Sequence, residues 1–270
     1  MKKLFSVLLA ALLAVGLFSG CGQSGESDWS YIQEKDVMKI GITLFEPMNY
    51  YDPEDPDKLI GFDTELAEAV CEKLGVTPEF VEIDWDQKVF ELQSKNIDCI
   101  WNGMTVSDEL KENMDFSVSY SANMQVCVIN KANADVYTDL ASMANAKLVA
   151  EAGSAGQISV EADETLKNAQ LTTVQAQRDT LLELKSGTAD VAVIDAVMAY
   201  ASVGEGTDYA DLMVVEGVEL SKEEYAIGLR KGSDAAGKIN EALQQLADDG
   251  TVAALAEKYP SVLVTLEPSA

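Results

Sequence analysis

Two polar turns carry groups that could bind a small charged ligand. Asn102-Gly103-Met104-Thr105 directly follows a short apolar run and presents an amide, a hydroxyl and backbone N–H groups. Gly103 lets a ligand approach the backbone closely, and Thr105 can donate a hydrogen bond to a carboxylate. Gly153-Ser154-Ala155-Gly156 opens a predicted helix, whose first N–H groups form an anion site. Both patterns also occur in ordinary turns.

One carboxylate and three aromatic side chains complete the candidate chemistry. Asp195 stands at the end of the apolar run Val191 to Ile194, where a carboxylate is costly to bury without a partner such as an ammonium. It could instead cap the helix that follows, or serve both roles. Phe45 and Trp85 lie on loops just past predicted strands and can offer a flat apolar wall or a face for a cation. Trp101, which ends a strand, is a third candidate, and core packing is the alternative for all three.

The composition narrows the possible classes of function. The chain has 270 residues with 46 acidic and 19 basic side chains, a formal charge of −27, and no histidine. Such a charge repels nucleic acid and anionic lipid, so neither is an expected partner. The absence of histidine excludes His-based triads and His-ligated zinc, and we predict no metal and no other cofactor. Cys71, Cys99 and Cys127 lie in apolar contexts and are interpreted as buried thiols, although a Cys71–Cys99 disulfide stays open.

The first twenty residues predict a secretory signal. A basic start and the apolar run Leu4 to Leu17 precede Phe18-Ser19-Gly20-Cys21, which resembles a bacterial lipoprotein cleavage site except that phenylalanine replaces the usual aliphatic residue. We therefore predict a signal peptide over 1–20, lipidation of Cys21 and a flexible tether within 21–29. Ordinary secretion with an incidental Cys21, or a short transmembrane helix, are the alternatives.

The elements that position these groups alternate between short apolar runs and amphipathic segments, which predicts an α/β protein. Open α/β sheets bind ligands at the carboxyl ends of their strands, so the polar turns fall where a site is expected. Asp63 is predicted to cap the first helix of the pattern. Strands are predicted at 37–43, 80–83, 97–101, 125–130, 147–151, 171–174, 191–194, 212–215 and 224–230, and helices at 63–73, 179–186, 196–203, 235–246 and 251–259 and directly after 86 and 156.

A family resemblance rests on three stretches, Asp98 to Ser117, Gly61 to Ala67 and Arg230 to Tyr259. Together they resemble the extracellular amino-acid-binding proteins of ABC importers, solute-binding protein family 3. The resemblance implies a two-lobed, periplasmic-binding-protein-like fold of type II. Each lobe would hold a mixed, mostly parallel sheet flanked by helices, and a two-segment hinge would join the lobes. The resemblance places lobe 1 at 30–123 and 226–270 and lobe 2 at 124–225.

The resemblance also assigns roles to the residues above. Phe45 and Trp85 would sandwich the ligand side chain, and the turn from Asn102 to Thr105 would bind the α-amino and α-carboxylate groups. The loop at Ser154 and Ala155 would give the carboxylate its donors from the second lobe. Asp195 would bind the α-ammonium.

One position departs from the pattern. Where the family usually has an arginine that binds the ligand carboxylate, this chain has Leu110, which can make no such bond. Neighbouring Lys111 would point away on a helix, and Arg178 is the other candidate for the lost charge. Glu151 lies beside the carboxylate loop, where relatives often carry an uncharged or basic side chain. It is either a surface charge or, if it faces the cleft, a side chain that favours a cationic ligand group. The ligand is therefore interpreted as an amino acid held without the arginine, or as a derivative lacking a free α-carboxylate.

These features predict a lipid-anchored, extracytoplasmic substrate-binding component of an ABC importer for amino acids or related amine-bearing solutes. The resemblance implies a monomer that closes over its ligand and presents it to a membrane permease and its ATPase. We predict that the protein is not an enzyme. A cyclohexadienyl-dehydratase-like enzyme is one alternative, and it would need Glu151 or Asp195 as a general acid or base. A sensory solute receptor is the other, disfavoured because the sequence has no downstream transmembrane segment or kinase.

Overall fold

The computed structural model describes residues 27–269. The predicted signal peptide and Cys21 lie outside this range. Ser27 accepts a hydrogen bond from the Ser30 N–H and caps the first helix, which begins at Asp28 within the stretch predicted as tether. Between residues 27 and 269, no helix has both the length and the apolar character needed to cross a membrane.

Ten α-helices and thirteen strands make up the described part of the chain. The helices are α1 (Asp28–Lys35), α2 (Phe62–Leu74), α3 (Lys88–Gln93), α4 (Asp108–Asn113), α5 (Leu140–Met143), α6 (Ala155–Ala162), α7 (Gln177–Ser186), α8 (Ala196–Ser202), α9 (Ala235–Asp248) and α10 (Thr251–Lys258). The strands are β1 (Val37–Ile42), β2 (Tyr50–Asp52), β3 (Asp55–Ile60), β4 (Thr77–Glu82), β5 (Cys99–Ile100), β6 (Met114–Phe116), β7 (Ser121–Asn130), β8 (Lys147–Glu151), β9 (Gln170–Val174), β10 (Val191–Asp195), β11 (Leu212–Tyr225), β12 (Gly228–Arg230) and β13 (Leu263–Val264).

Two mixed sheets form the centres of the two lobes. The sheet of the first lobe has the order β4-β1-β5-β12-β6, and that of the second has the order β11-β7-β10-β8-β9, with β13 added beside β7. Contrary to the prediction of mostly parallel sheets, parallel pairs do not predominate. In the first sheet β1 is parallel to β4 and β5, but β12 is antiparallel to β5 and β6. β6 leaves the first lobe and β12 re-enters it, so these neighbours run in opposite directions, as do β7 and β11 in the second lobe.

The chain passes between the lobes twice, from β6 to β7 and from β11 to β12, and after α10 it comes back to the start of β7, where β13 pairs with Ser121 and Ala122. Hydrogen bonds join the two passages: the Ser117 N–H donates to the Ile227 carbonyl at 2.9 Å, and the Tyr120 N–H donates to the Tyr225 carbonyl at 3.0 Å. The single return strand predicted at 224–230 is therefore two strands with a crossing between them. The two passages form the two-segment hinge. The residue limits of the lobes, 30–123 with 226–270 and 124–225, stay a prediction.

The three cysteines of the described chain are buried free thiols. Cys71 lies 4.0 Å from the sulfur of Met38, and no disulfide joins it to Cys99. Burial raises the pKa of the Cys71 and Cys127 thiols to about 12. These side chains therefore act as small apolar groups of the core, as the sequence predicted.

Candidate ligand-binding site

A cavity lined by residues of both lobes lies between them. Its walls follow the carboxyl ends of β1 and β5 from the first sheet and of β8 and β10 from the second, which is the place predicted for a site. Ten of the predicted site residues line it: Phe45, Trp85, Asn102, Gly103, Thr105, Leu110, Glu151, Ser154, Ala155 and Asp195.

Trp101 does not line the cavity. Its side chain is completely buried in the core, with its ring 6.4 Å from that of Tyr120. Successive side chains of an extended chain point in opposite directions. Because the Asn102 side chain lines the cavity, that of Trp101 points away from it. The prediction of Trp101 as a cavity residue is therefore wrong.

Hydrogen bonds within the protein fix the turn that begins at Asn102. The Asn102 amide donates to the Thr43 carbonyl at 2.9 Å and to Asn49 Oδ1 at 2.6 Å, and its oxygen accepts from the Thr43 hydroxyl at 2.7 Å. The Gly103 N–H donates to Asp63 Oδ2 at 2.6 Å. The amide and this N–H are thus committed to shaping the turn and are not free for a ligand.

Asp63 holds the turn from helix α2. Gly61, not Asp63, is the N-cap of this helix, so the predicted capping role is wrong. The Asp63 carboxylate instead accepts from the Gly103 N–H and from the Tyr120 hydroxyl at 2.9 Å. Burial raises its pKa to about 7, against the effect of these bonds. Asp63 is a positioning residue whose role the sequence did not reveal, although it belongs to the Gly61 stretch that carried the resemblance.

Phe45 packs directly on Gly103. Gly103 has φ of +55°, and a Cβ added there would lie 2.6 Å from the Phe45 ring, so only glycine fits. The Thr105 hydroxyl donates to Glu223 Oε2 at 3.0 Å. The Thr105 N–H has no acceptor among residues 27–269, so it is available to a ligand in the cavity that Thr105 lines.

Helix α6 presents its N-terminus to the cavity from the second lobe. Ser154 is the N-cap, and its hydroxyl oxygen accepts from the Gln157 N–H at 3.1 Å. The Ala155 N–H has no acceptor in the described chain. The predicted anion loop is therefore formed, with a backbone donor available at a helix N-terminus.

The two lobes contact each other beside the cavity. The Lys88 ammonium donates to the Trp85 carbonyl at 3.1 Å within the first lobe and to the Gly153 carbonyl at 2.9 Å in the second. A further hydrogen bond runs from the Gln175 amide to the Asp84 carboxylate. These contacts describe a closed arrangement of the lobes.

Replacing Gly153 with alanine is expected to weaken ligand binding by opposing this closure. A Cβ at Gly153 would lie 2.9 Å from the Cα of Asp86 in the other lobe, closer than such atoms approach. Gly187→Ala is the matched control, since Gly187 has φ of +77° against +68° at Gly153 but has nothing within 4 Å of its added Cβ. Calorimetric titration of both variants measures the difference, and equal affinities would mean that Gly153 does not control closure.

Asp195 is the most highly bonded group of the cavity. Its Oδ1 accepts from Asn123, from Gln125 at 2.9 Å and from the Tyr225 hydroxyl at 2.5 Å, whereas among residues 27–269 Oδ2 accepts from Gln177 alone, at 2.5 Å. The residue is 6% exposed and lines the cavity. Because a carboxylate oxygen can accept more than one hydrogen bond, Oδ2 retains capacity for a ligand donor.

Asp195 does not cap the helix that follows it. It occupies the N-cap position of α8 without a side-chain capping bond, and the Val197 N–H donates instead to Asn123 Oδ1 at 3.3 Å. Asn123 and Gln125 donate to Glu223 as well as to Asp195. Burial, and then the nearby Glu223, raise the pKa of Asp195 to about 7. A ligand ammonium would favour its ionised form.

Glu151 and Leu110 lie in the cavity where the resemblance predicts the ligand carboxylate. Glu151 is 4% exposed, and its Oε1 has no hydrogen-bonding partner in the described chain. Burial, and then Asp195, raise its pKa to about 8, whereas Lys88 opposes the shift. Leu110 is half-buried and supplies an apolar surface. Arg178 is exposed outside the cavity beside Asp179, so its proposed replacement of the lost charge is wrong.

Five further residues of the lining were not predicted from the sequence: Thr43, Lys88, Ser107, Ile158 and Gln177. Lys88 had a detectable signal, because it follows Trp85 by three residues at the start of a predicted helix, a spacing that puts both on one side. Its ammonium lies 4.7 Å from the centre of the Trp85 ring. Burial lowers its pKa to about 8, against the effect of Glu151.

The buried carboxyls of the site predict a fall in stability with rising pH. In the unfolded chain, Asp and Glu ionise near pH 4, whereas Asp63 and Asp195 have folded pKa values of about 7 and Glu151 has one of about 8. Between about pH 5 and 8 the folded protein binds more protons than the unfolded chain, so the free energy of unfolding falls as pH rises.

Urea unfolding of the ligand-free protein at several pH values measures this dependence. Glu151→Gln removes one of the raised groups and is expected to flatten the profile. Glu205→Gln, at an exposed position of the same lobe, controls for the loss of one negative charge. Parallel profiles for the wild type and Glu151→Gln would contradict the raised pKa of Glu151.

Two lobes that meet over a cavity at the carboxyl ends of their strands define a solute-binding architecture. The comparison with protein families agrees: residues 38–261 match the model for bacterial extracellular solute-binding proteins, family 3. The chain belongs to this family.

Individual proteins with related sequences or structures bind amino acids. The L-cystine-binding protein TcyJ of Escherichia coli strain K12 is 26% identical over 262 residues, which cover 95% of this chain and 96% of TcyJ. An ABC uptake transporter substrate-binding protein from Streptococcus pneumoniae, solved with bound histidine, is 34% identical with a TM-score of 0.78, covering 90% of this chain and 99% of that one. The ancestral amino-acid-binding protein AncCDT-1, a precursor of cyclohexadienyl dehydratase, is 28% identical with a TM-score of 0.77, covering 86% and 99%.

Proposed function

We propose that this protein is the substrate-binding component of an ABC importer for amine-bearing small solutes, either amino acids or related compounds. The observation that carries the proposal is the position of Asp195, a buried carboxylate that lines a cavity between two closing lobes. Its Oδ2 retains capacity for a donor, which suits a ligand ammonium. The binding of amino acids by related proteins supports the same class of ligand.

The other lining groups offer the ligand two kinds of contact, aromatic surface and hydrogen-bond donors. Phe45 and Trp85 provide aromatic surface for the body of the ligand. The Thr105 and Ala155 N–H groups, one from each lobe, provide donors for a ligand oxygen. A ligand that uses donors from both lobes stabilises the closed form, because only that form brings the donors together.

The proposed setting of this function is the outer face of a membrane. A diacylglycerol on Cys21 would hold the protein there, since the excess of acidic side chains gives it no electrostatic attraction to anionic lipid. The closed monomer would then deliver its ligand to a permease that is driven by an ATPase. Globomycin, which blocks removal of a lipoprotein signal, tests the anchor: accumulation of the precursor is expected, and unchanged processing would contradict it.

A dehydratase is a second candidate because of Glu151. Its buried carboxyl has a pKa of about 8, so at neutral pH it holds a proton that it could deliver as a general acid. One neighbouring structure, AncCDT-1, is a binding protein described as a precursor of such an enzyme. Conversion of prephenate by the wild type, lost in Glu151→Gln, would support this candidate, and absence of conversion would leave the binding role.

A thermal-shift screen of amino acids, amines and short peptides tests the proposed function. A ligand that binds only the folded state raises the melting temperature by mass action. We expect stabilisation by compounds with a free ammonium and none by their N-acetylated forms. Stabilisation by sugars or anions, with no response to any amine, would contradict the proposal.

A further inference from the structure

A hydrogen-bond donor and an acceptor from opposite lobes line the cavity without bonding to each other. Lys88 lies at the start of α3 in the first lobe, and Glu151 lies at the end of β8 in the second. Both are buried, at 6% and 4% exposure. Within the described chain no ion pair of 4.0 Å or less joins them, although each is close enough to shift the pKa of the other.

Lys88 retains one donor. An ammonium has three N–H groups, and two of them donate to the carbonyls of Trp85 and Gly153. The third has no acceptor among residues 27–269, and Lys88 contributes to the lining of the cavity.

Glu151 retains an acceptor. Its Oε1 is buried and has no donor among residues 27–269, and a buried carboxyl oxygen without a donor is unfavourable. Because Glu151 also lines the cavity, a ligand group is positioned to supply that donor.

Resting on the proposed function, we propose that Lys88 and Glu151 together bind a primary carboxamide of the ligand. The carboxamide oxygen accepts from the remaining N–H of Lys88, and its NH₂ donates to Glu151 Oε1. A single planar group thereby satisfies both side chains across the two lobes, so the pair also contributes to closure.

Charged ligand groups match the pair less well. A carboxylate would accept from Lys88, and from Glu151 while that side chain holds a proton, but it has no N–H for the unpaired Oε1. A second ammonium would donate to Glu151 but would face the charge of Lys88. A primary carboxamide has an acceptor for one side chain and a donor for the other on separate atoms, whereas a hydroxyl must serve both from one oxygen.

Ligand pairs that differ only in carboxamide or carboxylate test this pair of residues. L-alaninamide against L-alanine places the group on the α-carbon, and 4-aminobutanamide against 4-aminobutanoate places it at the end of a side chain. Calorimetry of the wild type is expected to show at least one pair in which the amide binds about tenfold more tightly, as a charge-assisted hydrogen bond implies. Equal affinity in both pairs, or tighter binding of the acids, would overturn the proposal.

Two substitutions locate the preference. Glu151→Gln keeps the shape but gives position 151 a donor that a carboxylate can use, so the preference for the amide should fall about tenfold. Lys88→Met should weaken binding of the amide. The exposed residues Glu205 and Lys222 supply the controls Glu205→Gln and Lys222→Met, in which the preference should not change. A Glu151→Gln protein with an unchanged preference would overturn the role of Glu151.

The same titrations separate this proposal from the proposed function. If amines bind but amides have no advantage, the carboxamide pair is wrong and amine capture stands. If no amine binds at all, the proposed function itself is wrong, and the carboxamide proposal fails with it.

Discussion

Replacing Asp195 with asparagine is expected to weaken binding of amine-bearing ligands by about 1.5–3 kcal/mol, or roughly ten- to 150-fold. The substitution removes the negative charge that a ligand ammonium would meet while keeping the size of the side chain. It also presents an NH₂ group to the amides and the hydroxyl that now donate to Asp195. Part of the loss will therefore come from the surrounding network rather than from the ligand contact.

A comparison of ligands separates these two contributions. Loss of the ammonium contact should weaken cationic ligands far more than neutral ligands of the same shape, whereas a disturbed network should weaken both. Asp135→Asn, at an exposed site of the second lobe, is the control for charge. Urea unfolding of each variant verifies the fold, and a folded Asp195→Asn protein with undiminished affinity for amines would remove Asp195 from the site.

Introducing arginine at Leu110 is expected to have the second large effect, a gain in affinity for free α-amino acids of roughly tenfold to a hundredfold. Leu110 lines the cavity from α4, and the family resemblance gives this position to the arginine that binds the ligand carboxylate. A guanidinium there can make two parallel, charge-assisted bonds to a carboxylate.

The choice of control isolates the guanidinium. Leu110→Met keeps an apolar side chain of similar size and should leave affinity for amino acids near that of the wild type. Amino-acid amides should gain little from the arginine, because they carry no negative charge. If Leu110→Arg binds free amino acids no better than Leu110→Met does, position 110 does not correspond to the carboxylate site.

The sequence predicted best those elements whose signals are local. β8 at 147–151 and β10 near 191–195 were identifiable because their apolar runs are continuous. The end of α7 was identifiable because Gly187 takes a left-handed conformation that stops the helix. The long strand β11 was not predicted as one element, since its middle is rich in charged residues and its pairing with β7 shifts register.

The position of the site was predicted from the sequence, but the hydrogen bonds between its residues were not. Polar residues after strands indicated where the cavity lies, because that rule depends on chain order alone. The roles of Asp63 and Lys88 depend on which groups the fold brings beside them, Gly103 in one case and Gly153 in the other. No periodicity or spacing contains that information, and the same limit explains why Trp101 was assigned to the cavity while it packs in the core.

The most direct test of the account is calorimetric titration of the purified protein with L-alaninamide and with N-acetyl-L-alaninamide. The two compounds share a carboxamide and differ in the free ammonium, which is the group assigned to Asp195. We expect measurable binding of the first and at least about tenfold weaker binding of the second. Equal binding of the two compounds would contradict the claim that this protein recognises its ligand through an amine.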